Sequence, residues 1–124
     1  QASAFSFSVP TDFVDNEVQG IDSEVGQWSN GAGIEVSYDY GWYSYSLAEA
    51  AGAEVEDVDY SGVVGQFAVV RAAETDAETN SVGVYFPEVA FANEVWDKLG
   101  LIVTHDDPND EIIGRCIARS VEFA

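Results

Sequence analysis

The stretch Ser29-Asn30-Gly31-Ala32-Gly33-Ile34-Glu35-Val36-Ser37-Tyr38-Asp39-Tyr40 decides the fold class of this chain. Asn-Gly between apolar runs is the strongest short signal for a β-hairpin, because both residues tolerate a positive φ. After the turn, apolar and polar residues alternate from Ile34 to Tyr40, which predicts a strand with one buried face. The stretch therefore predicts an antiparallel pair of strands.

Strand patterns continue on both sides of this hairpin. Residues 5–9 alternate between apolar and small side chains and stop at Pro10, whereas residues 11–26 are polar and irregular. Further strands are predicted over 54–60, 63–73, 82–86, 99–105 and 121–123. Residues 63–73 are apolar at both parities, which is typical of a central strand covered on both faces. We expect Pro87 to end the strand before it, because proline cannot donate to a ladder.

A helix is predicted near the C-terminus. Asp107 suits the N-cap, Pro108 suits the first helical position, and Asp110 and Glu111 place negative charge where the helix dipole favours it. One apolar face is predicted, made of Ile112, Ile113, Cys116, Ile117 and Val121. Cys116, the single cysteine of the chain, is therefore expected to be buried, and no internal disulfide can form.

The order of these elements, many strands and then one helix, favours an α+β domain over alternating α/β units. We predict an antiparallel β-sheet of about six or seven strands with the C-terminal helix packed on one face. The chain has 124 residues, a common size for one domain, so residues 1–124 are predicted to form a single domain.

Acidic residues dominate the charge. The chain has 23 Asp and Glu against 4 Lys and Arg, a formal net charge of −19. Nucleic acid is a poor partner because phosphate binding needs a cationic patch, and an anionic bilayer is disfavoured for the same reason. The acidity is explained by solubility of a secreted protein, by adaptation to salt, or by a basic partner or a cation.

The compartment is predicted from the ends and from the hydropathy. The opening Gln-Ala-Ser-Ala is typical of a mature terminus, so we expect an extracytoplasmic protein, periplasmic or secreted. No run approaches the ~20 apolar residues of a membrane span, so no membrane insertion is expected.

Four segments resemble a known group of proteins. These are Phe-Ser-Phe-Ser-Val-Pro at 5–10, Val-Ser-Tyr-Asp-Tyr-Gly at 36–41, Asp-Tyr-Ser-Gly at 59–62, and the acidic helix that runs into Arg-Ser-Val-Glu-Phe at 119–123. Together they resemble small exported bacterial proteins of unknown function, similar in pattern to the PsbP-like group. The resemblance implies an antiparallel sheet flanked by helices and an accessory role in the cell envelope. It implies no catalytic residues.

Two features of the sequence are candidates for a reactive or metal-binding site. His105, the single histidine, precedes Asp106 and Asp107 and could be a half-exposed, pH-sensitive group or a strand-end residue that orders the helix cap. Residues 57–62 match the first half of a calcium loop, but its twelfth position is Ala68 where a bidentate Glu is needed. A β-turn between two strands explains this segment better, and neither a metal nor a cofactor is predicted.

Aromatic side chains are the predicted ligand surface. Tyr38 and Tyr40 lie on the inward parity of their strand and are expected in the core or at its edge. The predicted ligand-binding residues are Trp28, Trp42, Tyr43 and Tyr45, because exposed Trp and Tyr make flat amphipathic platforms. The alternative is that they close one end of the sheet as packed aromatics.

Three functions follow from these observations. The leading hypothesis is a non-enzymatic extracytoplasmic accessory or binding domain for an unknown protein or small-molecule ligand. One alternative is a small hydrolase that uses carboxylates with His105, and another is a cation-stabilised structural domain. An exposed sheet edge could also pair two copies into a homodimer.

Overall fold

A computed structural model describes residues 5–7, 9, 13–15, 23–31, 33–41, 47, 52–60, 62–74, 79–90 and 96–123. Its strands are β1 (Phe5–Ser6), β2 (Val14–Asp15), β3 (Ser23–Ser29), β4 (Ile34–Gly41), β5 (Glu54–Tyr60), β6 (Val63–Val70), β7 (Asn80–Ala90), β8 (Trp96–His105) and β9 (Glu122–Phe123). The α-helix α1 spans Glu111–Arg119, and short 3₁₀ turns span Ala72–Glu74 and Pro108–Asp110.

The strands form a seven-stranded sheet in the order β2-β3-β4-β8-β7-β6-β5, and β1 pairs with β9 in a separate two-stranded sheet. All neighbouring strands are antiparallel. The predicted α+β class, with an antiparallel sheet and a C-terminal helix on one face, is confirmed.

The hairpin with the Asn30-Gly31 turn joins β3 to β4. Gly31 and Gly33 have φ of 70° and 95°, which glycine adopts without strain. The Asn30 side-chain oxygen accepts a hydrogen bond from the Ile34 amide at 3.2 Å and so closes the turn. β3 starts at Ser23, inside the segment predicted to be irregular, because pairing with β4 outweighs its weak local pattern.

The core lies between the sheet and α1. Val36, Val103 and Val82 face one another across β4, β8 and β7 and are fully buried. We call this side of the sheet the helix face and the opposite side the second face. On the second face, the buried Leu47 packs with Ala68 and Val70.

The orientation of α1 corrects the prediction for Cys116. Cys116 is exposed and Ile112 is 68% exposed, so neither lies in the core. The helix instead turns Gly114 and Ala118 toward the sheet, and a Cβ at Gly114 would lie 3.2 Å from Cγ2 of Val82. The prediction holds for Ile117 and Val121, which are buried, and for Ile113, which packs against the core.

Two strand predictions also change. β7 continues past Pro87, because a register shift between Phe86 and Val89 takes the exposed proline out of the ladder. β6 is second from the edge of the sheet, and only Phe67–Val70 is buried on both faces. Among the described residues, no helix is long and apolar enough to cross a membrane.

Candidate functional site

β5 forms one edge of the seven-stranded sheet, and most of its side chains are exposed. β5 pairs with β6 on one side, and it is the last strand in the order of the sheet. The side chains of Glu54, Val55, Glu56, Asp57 and Asp59 are all exposed. Together with β6, this strand makes a surface that we call the outer hairpin, residues 54–70.

The hairpin connection fixes which backbone groups face outward. Tyr60 pairs with Val63, so the connection is the shortest common type, in which the residues flanking the turn form a hydrogen-bonded pair. Hydrogen-bonded and non-hydrogen-bonded pairs then alternate along the ladder. The N–H and C=O groups of Val55, Asp57 and Asp59 therefore face away from β6. Within the described part of the chain, no hydrogen bond reaches these outward backbone groups.

The turn of the outer hairpin accounts for the calcium-like segment. The Gly62 amide donates to the Asp59 carboxylate at 2.6 Å, and Gly62 has a φ of 96°. Asp57 lies within β5 instead of a coordinating loop. The interpretation of residues 57–62 as a β-turn between two strands is thus confirmed. Among the described residues, no group of three or more His, Cys, Asp or Glu side chains is placed to hold a metal ion.

The outer hairpin mixes negative charge with exposed apolar groups. On the second face, Val55 and Val64 are 46% and 63% exposed, and Asp57 lies between them in the strand register. On the helix face, β5 presents Glu54 and Glu56. Acidic side chains on both faces are typical of an edge strand that must not pair with a copy of itself.

Positive charge is concentrated on the helix face, between α1 and the outer hairpin. Arg71 contacts Glu54 and Glu111, with its Nε 2.8 Å from Glu111 Oε1, and Arg115 Nε lies 2.9 Å from Glu111 Oε2. Arg115 and Arg119 also lie over the Phe67 ring. These three arginines are most of the 4 Lys and Arg residues in the chain.

The ion pairs change the acidity of Glu111. The Arg71 hydrogen bond, followed by that of Arg115, lowers the pKa of the Glu111 carboxyl from 4.5 to about 2. Glu111 and Arg115 are four residues apart, a spacing that brings side chains together on one side of a helix. The cluster joins the start of α1 to the ends of β5 and β6.

His105 is buried, which corrects the expectation of a half-exposed group. It is 2% exposed, and its Nδ1 donates to the Asp107 carbonyl oxygen at 2.8 Å. The Asp107 carboxylate in turn accepts from the Asn109 amide at 2.9 Å. His105 therefore orders the turn that leads into α1, as its structural interpretation predicted. The hydrolase alternative that uses His105 stays a prediction.

The predicted aromatic residues fall into two groups. Trp28 is half-buried and packs on Phe7 and Tyr38, with ring centroids 5.1 Å and 5.8 Å away. Tyr38 is 6% exposed, as predicted for the inward parity. Trp42, Tyr43 and Tyr45 lie outside the described residues, as does the side chain of Tyr40, so their ligand-binding role stays a prediction.

Gly41 and Leu47 are the described residues on either side of the aromatic segment. Gly41 ends β4, and Leu47 is 8% exposed and packs on the second face. Val55 and Val64 of the outer hairpin project from this same face.

The free edge of β5 was not among the sequence-predicted sites. The pattern of residues 54–60 predicted a strand, and the order of strands in the sheet cannot be read from a local pattern. One signal was present, because Glu54, Glu56, Asp57 and Asp59 place acids at both parities, which is typical of a strand exposed on both faces.

Comparisons with protein-family models, with curated proteins and with solved structures found no significant match. The resemblance to the PsbP-like group therefore stays a prediction. The class established by the fold is an antiparallel α+β protein, with an exposed acidic edge strand as its candidate site.

Proposed function

We propose that this chain is a non-enzymatic accessory or binding domain that holds a basic protein partner on its outer hairpin. One observation carries the proposal: β5 leaves the outward backbone groups of Val55, Asp57 and Asp59 unpaired within the described structure. Unpaired donors and acceptors in an extended strand are a ready template for another chain.

Charge supports a basic partner. Five of the seven residues of β5 have exposed side chains, and Glu56, Asp57 and Asp59 make no described ion pair with the arginines around α1. A cationic partner gains attraction from these groups and is steered to them by the field of a chain with a net charge of −19. The exposed valines beside the acids offer apolar contact on the second face.

The proposal is tested by fluorescence anisotropy with labelled peptides. Lysine-rich and glutamate-rich peptides of about ten residues are long enough to span the seven residues of β5. The lysine-rich peptides should bind in 0.15 M salt, where screening beyond about 8 Å suppresses diffuse attraction. Replacing Glu56→Gln together with Asp57→Asn should weaken binding at least about tenfold, or ~1.4 kcal/mol.

The matched control removes the same charge elsewhere. Glu35→Gln with Glu88→Gln neutralises two exposed acids of β4 and β7 and should leave the affinity within about twofold. Equal losses in both double variants would mean that the peptide responds to net charge alone, and absence of binding to the parent chain would contradict the proposal.

The aromatic segment is a predicted second contact. Leu47, which follows this segment in the chain, packs on the second face, where the exposed valines of the outer hairpin also lie. Trp42→Ala with Tyr43→Ala should weaken peptide binding while leaving the melting temperature within a few degrees. A collapse of the fold in this variant would instead show that these rings are packed parts of the protein. Extracytoplasmic location stays a prediction beside this proposal.

A further inference from the structure

We infer that the partner binds by strand addition: a basic, extended segment of the partner pairs with the outer edge of β5 and becomes the next strand of the sheet. This inference rests on the proposed function, because it specifies how a partner is held on the outer hairpin. In this mode backbone hydrogen bonds are the main contact, and lysine or arginine side chains of the partner provide the selectivity.

The backbone geometry of β5 favours this mode over a purely electrostatic contact. Val55, Asp57 and Asp59 alternate with residues bonded to β6, so their outward N–H and C=O groups repeat at the spacing of a β-ladder. β5 has no proline and no bulge in its register with β6, and either would interrupt such a ladder. Three outward residues can exchange hydrogen bonds with one partner strand.

The side chains define the composition of that strand. On the helix face the partner would lie beside Glu54 and Glu56, and on the second face beside Asp57 and Asp59. Opposite charges across a strand pair are stabilising, so cationic residues are expected at both parities of the partner. Val55 on the second face favours an apolar residue beside it.

A second copy of this chain fits the edge poorly. Antiparallel pairing of two β5 strands about Asp57 would set Asp57 against Asp57, and parallel pairing in register would align each acid with its own counterpart. Like charges directly opposite each other destabilise a strand pair. The acidic edge thus disfavours a homodimer through β5 and selects a partner of opposite charge.

The test uses three peptides of one sequence that has lysine at both parities and a single valine. One is unmodified, one is N-methylated at the odd positions and one at the even positions. In an added strand, the N–H groups of one parity face β5 and those of the other face solvent. Strand addition therefore predicts that one methylated peptide loses affinity more than tenfold, while the other binds like the unmodified peptide.

A change in the protein provides the reciprocal test. Val55→Pro removes one outward N–H, keeps every charge, and lies in an edge strand where proline is tolerated. It should weaken binding of the unmodified peptide several-fold, whereas Val55→Thr keeps the N–H and should not. Amide hydrogen exchange should also slow at Val55, Asp57 and Asp59 on binding.

The outcomes separate this inference from the proposed function. Equal affinities of the two methylated peptides, whether both bind or neither does, would overturn strand addition, even if the unmodified peptide binds and the acidic surface still selects it. Failure of the unmodified peptide to bind would overturn the proposed function itself. If Val55→Pro did not fold, the methylated peptides would still decide the question.

Discussion

Gly65 of β6 lies under the ring of Phe86, where a side chain of any size would collide with its neighbours. A Cβ at this position would lie 2.3 Å from the Tyr85 carbonyl oxygen and 2.5 Å from Cδ1 of Phe86. The Phe86 ring packs against Tyr60 at a centroid distance of 5.1 Å, so it has little room to move.

Gly65→Ala should therefore lower the free energy of unfolding by about 2–3 kcal/mol, because one extra methyl group overpacks this part of the core. Urea denaturation followed by tryptophan fluorescence measures the change. Gln66→Ala, at the exposed neighbouring position, is the control and should change stability by less than about 0.5 kcal/mol. A similar cost in both variants would contradict the packing explanation.

The ion pairs of Glu111 make the free energy of unfolding depend on pH. Its pKa is lowered to about 2 by Arg71 and Arg115, so the ion pairs stabilise the fold fully above about pH 4.5 and are lost as the pH falls toward 2. Glu111→Gln should be less stable than the parent chain by about 1 kcal/mol at pH 7, and the difference should vanish near pH 2.

The comparison uses the difference between two chains at each pH, because protonation of the many other acids changes both alike. Glu35→Gln, at an exposed position of β4, is the control for the loss of one carboxylate. A gap between Glu111→Gln and the parent chain that persists at pH 2 would contradict the assignment.

At the scale of elements, the entry into α1 combines a cap with a buried histidine. Asp107 accepts from the Asn109 amide through its side chain, and its carbonyl accepts from His105. Asp107→Ala should cost about 1 kcal/mol of stability, because it exposes an unpaired N–H at the start of the turn. Asp107→Asn keeps an acceptor and should cost less. Thermal unfolding of both variants, with the exposed Asp106→Ala as control, decides whether the side chain acts as a cap.

Local patterns predicted those elements whose stability is largely local. The alternation from Ile34 to Tyr40 and the turn after Asn30 are properties of neighbouring residues, and both are present in the structure. Asp107 caps the 3₁₀ turn Pro108–Asp110 that leads into α1, whereas Asp110, the N-cap of α1 itself, makes no side-chain cap hydrogen bond. Features that depend on pairing between distant parts of the chain were not predicted. The register shift at Pro87 and the early start of β3 arise from pairing across the sheet, which a local pattern does not contain.

The rotation of α1 is the clearest miss, and it has a physical cause. Counting apolar residues placed Ile112 and Cys116 on the buried face together with Ile113, Ile117 and Val121. The helix packs through Gly114, Ile117 and Ala118, and leaves Ile112 and Cys116 exposed. Close approach to Val82 and Val103 requires small side chains at the contact, and hydropathy gives glycine little weight. The candidate site was missed for a similar reason, because the free edge of β5 depends on the order of strands in the sheet and not on any local pattern.

At the scale of the whole molecule, a net charge of −19 opposes compaction by self-repulsion. Three of the 4 Lys and Arg residues lie on the helix face around α1 and Phe67, where Arg71 pairs with Glu54. Asp57 and Asp59, on the second face of β5, have no described ion pair. Raising NaCl from about 0.02 to 0.5 M should therefore raise the melting temperature, because the Debye length shrinks from roughly 20 Å to about 4 Å.

The variant Glu35→Gln with Glu88→Gln should show a shallower dependence of melting temperature on salt, since it has less repulsion to screen. Differential scanning fluorimetry measures both chains side by side. Identical slopes would mean that salt acts through apolar burial and not through charge.

The orientation of α1, which leaves Cys116 exposed, also provides a labelling site for measuring peptide binding. The chain has one thiol, and that thiol lies exposed on the helix. A maleimide dye would attach at Cys116 and nowhere else, without displacing any core side chain. Energy transfer from this dye to a labelled peptide would then report the distance between helix and bound strand, and would give the direction in which the peptide runs along β5.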